Sequence, residues 1–186
     1  NGGIRFGLAA IKSVGKSLIN TIVAEREKNG IYKSLTDFLT RLSEKDLNRR
    51  AIENFIKSGA FDSFGAKRSQ YMANFKAIFD GITQRKKNNI DGQMSLFSMG
   101  EESIEDTEDN FADMDEFPVS EILAMEKEVL GIYISGHPLS QYEDILKRKV
   151  SVTSRDFIKG DDDTCVVGDG QKVILGGIVN AKKIKY

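Results

Sequence analysis

The chain has 186 residues, which is enough for one large domain or two small ones. Its single cysteine, Cys165, excludes an internal disulfide bond and fits a reducing compartment. No apolar run approaches the length of a membrane span, and Arg5 interrupts the opening where a secretory signal would be apolar. We therefore expect a soluble, cytoplasmic protein, and the start at Asn1 without methionine suggests a piece of a longer chain.

The formal net charge of -1 hides an uneven distribution of charge along the chain. Residues 1–87 carry a charge of +9, residues 88–128 carry -12 and residues 129–186 carry +2. A basic block followed by an acidic block suggests that the first block meets a polyanion. Surplus lysine is also common on solvated helices, so charge alone leaves the partner open.

The basic block opens with a predicted helix, a tight turn and a second helix. The first helix is expected to end near Lys12, the turn covers Ser13, Val14 and Gly15, and the second helix begins at Lys16. A lysine in the first turn opposes the helix dipole by about 0.3–1 kcal/mol. That placement is explained if the N–H groups around Gly15 hold an anion, which glycine lets approach closely. An ordinary helix corner with a solvated lysine explains this one turn equally well.

Three helices are predicted between this turn and the next one. The helix that begins at Lys16 is expected to run to Lys28. Ser34 is a predicted N-cap for a helix over residues 35–42, with Asp37 as the capping-box acid. A further helix begins at Asn48 or Asp46. Helical spacing places the following residues on the inner faces: Leu18, Ile19, Ile22, Val23, Leu35, Phe38, Leu39, Leu42, Ile52, Phe55 and Ile56.

The pattern of the first turn then returns. Phe64 and Gly65 precede a helix predicted from about Ala66 to Asp80, with Lys67 and Arg68 in its first turn. Two glycine-led helix starts in one basic block favour DNA binding over simple packing, because solvated lysines do not predict repetition. The predicted inner face of this helix consists of Tyr71, Phe75, Ile78 and Phe79.

Residues 84–116 are predicted to form a disordered acidic linker, because few apolar residues are spaced for burial. One segment inside it consists of Gln93, Met94, Ser95, Leu96 and Phe97. A Leu-Phe pair in a polar tether can order on binding and anchor in a partner's pocket. Docking of the same pair onto the chain's own helices is an equally good interpretation.

After the linker, a helix is predicted from Ser120 through Leu130. The only histidine, His137, has neither a second histidine nor a cysteine pair nearby, so a structural role is expected rather than a metal site. Residues 164–167 and 173–179 have the composition of a β-hairpin around the turn at residues 168–170. Two or three strands do not close a barrel, so this β segment is expected to be cut short.

Three stretches together resemble the alpha subunit family of bacterial replicative DNA polymerase III, of the DnaE type. They are residues 4–15, residues 48–62 from Asn48-Arg49-Arg50 to Gly59-Ala60-Phe61-Asp62, and residues 126–139 from Glu126-Lys127-Glu128 to His137-Pro138-Leu139. The resemblance implies a tandem helix-hairpin-helix domain that grips duplex DNA behind an active site. It also implies that residues 93–97 dock on the β sliding clamp, and that the final strands open an OB-fold.

The expected architecture is therefore mainly α, in four parts. Residues 1–83 form the DNA-binding domain, residues 84–116 the acidic linker, residues 117–150 a helix and connecting segment, and residues 151–186 the start of a truncated OB-fold. The predicted DNA contacts are Ser13, Val14, Gly15, Lys16, Phe64, Gly65, Lys67 and Arg68, and the predicted clamp contacts are Gln93, Met94, Ser95, Leu96 and Phe97. The resemblance implies other replicase subunits as further partners, and the lack of a long apolar run predicts no membrane contact.

The chain departs from the family pattern in two ways. Ser13 stands where the pattern usually has glycine, which puts the shape of the first phosphate contact in question. The palm carboxylates that bind catalytic metal, expected to be magnesium, have no counterpart here, so no cofactor and no polymerisation are expected of these residues alone. Two alternatives stay open: a repair nuclease or glycosylase that uses the same hairpins, and a protein-interaction scaffold without DNA contact.

Overall fold

The computed structural model describes residues 6–42, 47–90, 109–158, 165–179 and 182–185, with side chains described only to residue 87 in the second range. These residues belong to two compact units, residues 1–135 and residues 136–186. The predicted clamp contacts at residues 93–97 lie outside the described residues.

Five α-helices build the first unit: α1 Lys16–Asn29, α2 Leu35–Leu42, α3 Arg49–Lys57, α4 Arg68–Ile90 and α5 Val119–Leu130. Single turns of 3-10 helix cover Leu8–Ala10 and Asp62–Phe64. In the second unit, α6 covers Glu143–Lys149 and is flanked by 3-10 turns at Ser140–Tyr142 and Ser154–Phe157. No helix in the described part of the chain is long and apolar enough to cross a membrane.

The predicted caps explain where two of these helices begin. The Ser34 hydroxyl accepts a hydrogen bond from the Asp37 N–H at 2.9 Å, and the Asp37 carboxylate accepts one from the Lys33 N–H at 3.0 Å. The Asn48 side chain accepts from the Ala51 N–H at 3.0 Å. The bonds from the Asp37 and Ala51 N–H groups satisfy donors that a helix start leaves without an intrahelical partner, and the bond from Lys33 fixes the residue before the Ser34 cap. The predictions for Ser34 and Asn48 are confirmed.

The core of the first unit is built around aromatic rings on successive helices. Phe38 packs edge-on against Phe61 and Phe55, with centroids 5.0 Å and 5.9 Å away. Phe61 extends the cluster to Tyr71 at 6.1 Å. Edge-to-face pairs at these distances add to the stabilisation from burial. All four predicted inner residues of α2 are buried, as are the three predicted inner residues of α3.

Three predicted boundaries are wrong. Among the described residues before the first turn, the helical element is the 3-10 turn Leu8–Ala10, which the extended backbone of Gly7 precedes with ψ 149. Helix α4 does not stop at Asp80 but continues to Ile90, which takes up the first part of the predicted linker. The end of that linker is also ordered, because residues 109–116 make defined contacts with α2 and α4.

The predicted β-hairpin does not form strands among residues 165–179. The Val167 N–H donates to the Asp156 carbonyl, and the Ile174 carbonyl accepts from the Ser151 N–H at 3.0 Å, so no ladder joins the two predicted strands. An isolated two-stranded hairpin is marginal without a packed face, and both Ile174 and Val179 are exposed. The described residues therefore do not display the predicted OB-fold.

His137 lies in the second unit and is exposed. Its Nδ1 atom accepts a hydrogen bond from the Leu139 N–H at 3.2 Å. Within the described ranges, no group of three or more His, Cys, Asp or Glu side chains is arranged to hold a metal ion. The hydrogen bond fits the predicted structural role of this histidine.

Candidate nucleic-acid interface

The backbone of the first turn places its left-handed residue at Ser13. Ser13 has φ 62, and within the described residues it is the one non-glycine residue with positive φ. Gly15 has φ -78 and is the N-cap of α1, so its role does not depend on a left-handed backbone. Serine therefore adopts here the conformation that glycine enters most easily, at a strain of about 1–2 kcal/mol. The turn therefore forms although serine replaces the glycine that the family pattern usually has at this position.

Two long-range hydrogen bonds hold this turn against the rest of the unit. The Lys12 N–H donates to the Val129 carbonyl at 2.9 Å, at the end of α5. The Lys12 carbonyl accepts from the side-chain amide of Asn54 at 2.6 Å, and Asn54 is itself buried on α3. Val14 packs against the core between them. The turn is thus fixed in position by α3 and α5.

No acidic side chain among the described residues caps the start of helix α1. No side chain caps Gly15, and the first turn contains no acidic residue. The first intrahelical bond of α1 runs from the Ile19 N–H to the Gly15 carbonyl at 3.2 Å, which leaves the Lys16 and Leu18 N–H groups without an acceptor in the described part of the chain. Nothing lies within 4 Å of the position of a Cβ on Gly15. Exposed N–H groups at a helix start, with Lys16 beside them, form a site suited to an anion.

Helix α4, which follows the second turn, starts differently because the chain supplies its own anion. The Glu116 carboxylate accepts from the N–H groups of Arg68 at 2.8 Å and Ser69 at 3.0 Å. The side-chain oxygen of Gln70 accepts from the Lys67 N–H at 2.9 Å, and the Tyr71 hydroxyl accepts from the Ala66 N–H at 3.1 Å. The N–H groups that a phosphate would approach are therefore already paired.

Glu116 belongs to a segment, residues 109–118, which we call the acidic strap. At its start, the Asp109 carboxylate accepts from the N–H groups of Leu35 and Thr36 at 2.7 Å and 2.9 Å, which caps α2. In its middle, Phe111 packs edge-on against Tyr71 with centroids 5.8 Å apart. The strap therefore supplies carboxylates to the starts of two helices.

Burial opposes the negative charge of Glu116. Hydrogen bonds from the N–H groups of Phe117, Arg68 and Ser69 outweigh that effect and lower the pKa of Glu116 below its ordinary value of 4.5. The nearby Arg68 charge acts in the same direction. The carboxylate is thus ionised at neutral pH, as the cap requires.

The predicted cations of the second turn are also engaged by acids. Arg68 is 5% exposed, and its guanidinium pairs with Asp62 at 2.7 Å and Glu126 at 3.0 Å. The Lys67 ammonium, whose side chain is 43% exposed, pairs with Asp113 at 3.0 Å and donates to the Met114 carbonyl at 2.8 Å. Arg68 thus has no face to offer to a phosphate in this arrangement, whereas Lys67 retains partial access.

The Arg68 partner Glu126 is fully buried and accepts from several donors. They are the Arg68 guanidinium, the Ile134 N–H at 2.7 Å, the Ser135 N–H at 2.9 Å and the Ser135 hydroxyl. Burial disfavours the Glu126 charge, but these donors outweigh it and lower the pKa of Glu126. A buried pair that is hydrogen-bonded on all sides fixes the start of α4 to the end of α5.

The remaining predicted contacts, Phe64 and Gly65, lie in the second turn. The Phe64 ring stacks on Phe61 with centroids 5.5 Å apart, so its side chain serves the core. Gly65 has φ 95 and is exposed, with nothing within 4 Å of a Cβ position. Gly59, just upstream, also has positive φ, and a Cβ there would meet the Arg68 guanidinium and the Asp62 carboxylate. Ser13 to Lys16 thus form one turn, whose helix start has no side-chain cap. Phe64 to Arg68 form a second turn, whose N–H groups and cations are already paired with side chains of the same chain.

Sequence reasoning missed Asp109, Glu116 and Glu126 as partners of helix starts and buried cations. Only one signal in the sequence distinguishes the strap from a solvated acidic tail. Phe111 and Phe117 stand among the acids of the strap, and both are partly buried. Aromatic residues inside an acidic stretch therefore mark the part of the predicted linker that packs against the helices.

Comparisons with known proteins agree on one family. Residues 1–71 match the family described as helix-hairpin-helix motif. The chain is 34% identical over 184 residues, 98% of its length, to DNA polymerase III subunit alpha of Borreliella burgdorferi, and it covers 15% of that protein. It is 38% identical over 180 residues, 95% of its length, to the protein of the same name from Deinococcus radiodurans, of which it covers 13%. The corresponding protein of Chlamydia trachomatis is 37% identical over 158 residues, 83% of this chain and 13% of that one.

Proposed function

Because this chain belongs to the DNA polymerase III alpha subunit family over the segment that it shares with these relatives, we propose that it holds duplex DNA at its first hairpin. The contact is made to backbone phosphates, without reading base sequence. One observation carries the proposal: the start of α1 is exposed, lacks a side-chain cap and has Lys16 in its first turn. A helix start with these properties suits a phosphate.

In this proposal the first hairpin carries more of the DNA affinity than the second. The N–H groups at the start of α4 already donate to Glu116 and Gln70, and Arg68 is buried in ion pairs. A phosphate at α4 would have to displace a carboxylate that makes three charge-assisted hydrogen bonds. At the start of α1, no described carboxylate accepts from the Lys16 or Leu18 N–H.

The wider role follows from the relatives and stays a proposal. The chain spans 15% of the Borreliella burgdorferi protein, so polymerase activity, replication in the cytoplasm and the association with other replicase subunits are proposed for a longer protein. In that longer protein, a magnesium ion is proposed to bind palm carboxylates that lie outside this segment. Residues 93–97, from Gln93 to Phe97, are proposed to dock on the β sliding clamp. Such a tether would raise the local concentration of clamp beside bound DNA.

Titration of the chain with a short duplex at increasing salt tests the DNA proposal. Lys16→Gln removes the charge at the open helix start and should lower the slope of log affinity against log salt by about 0.9, the value for one phosphate contact. Lys28→Gln makes the same change at the exposed far end of α1, about 18 Å along the helix, and should leave the slope unchanged.

Three results would argue against this function. The chain could fail to bind duplex DNA at low salt, its affinity could be independent of salt, or Lys16→Gln and Lys28→Gln could weaken binding equally. The first result would favour a scaffold without DNA contact. The third would reduce the role of Lys16 to a general contribution to charge.

A further inference from the structure

An open cleft lies beside the first hairpin, and its two arginines take part in none of the contacts described above. Its volume is about 600 Å³, and its lining includes Lys12, Ser13, Arg49, Arg50, Asn54 and Lys57. We call it the basic cleft. Pockets of about 300–1,000 Å³ accommodate ligands of the size of a nucleotide. All of its lining residues belong to the first unit.

The cations of the basic cleft differ in how they are satisfied. Lys57 is paired with Glu53 at 3.0 Å and Glu128 at 3.1 Å, and both acids also line the cleft. Arg49 pairs with Asp80 on α4 at 2.5 Å. Arg50 is exposed and has no ion pair in the part of the chain that the structure describes. Arg50 is therefore the arginine of the cleft that is available to an outside anion.

The start of α3 repeats the unfavourable charge placement of α1, although here the Asn48 side chain caps the helix at the Ala51 N–H. Arg49 and Arg50 are its first two residues, and no acid stands in its first turn. Each cation there opposes the helix dipole by about 0.3–1 kcal/mol at the surface. An anion in the cleft would offset that cost, because it interacts favourably with both the helix dipole and the arginines. The basic cleft thus adjoins a second helix start that has cations where an anion is favoured.

The basic cleft is also rigidly connected to the proposed phosphate site at α1. Ser13 lines the cleft and is two residues from Gly15, so the cleft reaches to within about 7–8 Å of the open helix start. Asn54, buried on α3, donates to the Lys12 carbonyl and so fixes the turn relative to α3. Two anion-attracting sites held in one frame suit successive phosphates of one strand.

We propose that the basic cleft binds a second backbone phosphate of the DNA strand whose neighbouring phosphate sits at the start of α1, with Arg50 as the contact. The inference rests on the proposed function and adds to it a second site for a backbone phosphate. Lys12, on the same edge of the cleft as Ser13, adds positive charge. Lys57 stays with its two acids and shapes the cleft.

The test measures duplex affinity of the whole chain between about 50 mM and about 200 mM monovalent salt. Loss of one phosphate contact reduces the salt slope by about 0.9, so the advantage of the unsubstituted chain over Arg50→Gln should shrink about 3.5-fold across that range. Arg50→Lys keeps the charge and should keep most of the slope. Arg155→Gln makes the matched change at an exposed arginine of the second unit and should have no effect.

The outcomes separate this inference from the proposed function. If Lys16→Gln lowers the slope and Arg50→Gln does not, the cleft is not a phosphate site and the hairpin remains. If Arg50→Gln lowers the slope and Lys16→Gln does not, the cleft is supported and the first hairpin is not. The inference is overturned if Arg50→Gln and Arg155→Gln lower the salt slope equally. It is also overturned if the chain does not bind duplex at low salt. Tighter binding of an acidic peptide than of duplex would assign the cleft to a protein partner instead. Circular dichroism checks that each variant is folded.

Discussion

Replacing Glu116 by glutamine tests whether the acidic strap stabilises the fold through the start of α4. The Glu116 carboxylate accepts from three N–H groups, those of Arg68, Ser69 and Phe117, at 2.8 Å to 3.0 Å. Loss of a side-chain cap reduces stability by about 0.5–2 kcal/mol, and loss of a negative charge at a helix start by about 0.3–1 kcal/mol. Glutamine keeps one acceptor oxygen, so we expect Glu116→Gln to lower the free energy of unfolding by about 1–2 kcal/mol at neutral pH.

The same variant has a predicted dependence on pH. The pKa of Glu116 is lower in the folded chain than its ordinary value of 4.5, so the stabilisation is fully present above that value. It is lost as the pH falls through the lowered pKa, because the folded state must then take up a proton at the carboxylate. The difference in stability between the unsubstituted chain and Glu116→Gln should therefore shrink below pH 4.5. It should vanish once the folded carboxylate is protonated.

Urea unfolding followed by circular dichroism, at neutral pH and again below the Glu116 pKa, measures both effects. Asp115→Asn is the matched control, because Asp115 is the exposed neighbour and no contact of its side chain is described. That control should leave the midpoint unchanged at either pH. A loss of stability in Glu116→Gln that persists unchanged in acid, or an equal loss in Asp115→Asn, would refute the capping argument.

Two further predictions concern the first turn and residues 93–97, which are proposed to dock on the sliding clamp. Ser13→Gly should raise the free energy of unfolding by about 0.5–1 kcal/mol, because relief of the left-handed strain exceeds the cost of the added entropy of the unfolded chain. Urea unfolding midpoints measure this gain. An equal gain in Ser13→Ala would contradict the argument. Replacing Leu96 and Phe97 together by alanine should abolish capture by purified sliding clamp, whereas Ile104→Ala in the same acidic stretch should not. Undiminished capture of the double variant would place the clamp contact elsewhere.

Helices α1 and α2 of the first unit were predictable because neighbouring residues, through apolar spacing and capping, specify where each helix begins. Helix α2 has four apolar residues spaced for one face, a serine before it and an acid in its first turn, and its bounds and buried residues are those predicted. The start of α1 at Lys16 was equally predictable from the turn. In such segments, periodicity and capping chemistry agree with the tertiary structure.

The strap was not predictable by the same means. Asp109 contacts Leu35 across 74 positions of sequence, and Glu116 contacts Arg68 across 48. A window of local composition contains neither partner, and a run of acids is typical of a solvated segment. The two aromatic residues of the strap, Phe111 and Phe117, provided the only indication, and Phe111 packs on Tyr71. The described end of the predicted linker is therefore held by partners that lie far away in sequence, which a local window does not contain.

The candidate site shows the same limit at the level of side chains. Lys16 and Arg68 are both cations in the first turn of a helix that follows a glycine, and the sequence alone makes them equivalent. The structure separates them, because Lys16 is exposed while Arg68 is buried between Asp62 and Glu126. Which of two similar cations is available depends on carboxylates from distant parts of the chain.

The distribution of charge along the sequence has a physical counterpart in these contacts. The start of a helix attracts an anion, and the acidic strap provides one to α2 through Asp109 and one to α4 through Glu116. It provides none to α1. The acids of the second block thus neutralise part of the first block from within, and they leave positive charge concentrated at Lys16 and, across the basic cleft, at Arg50. Among the described residues, an external polyanion therefore meets the least competition from the chain's own carboxylates at the first hairpin, which is the side where the proposed function places DNA.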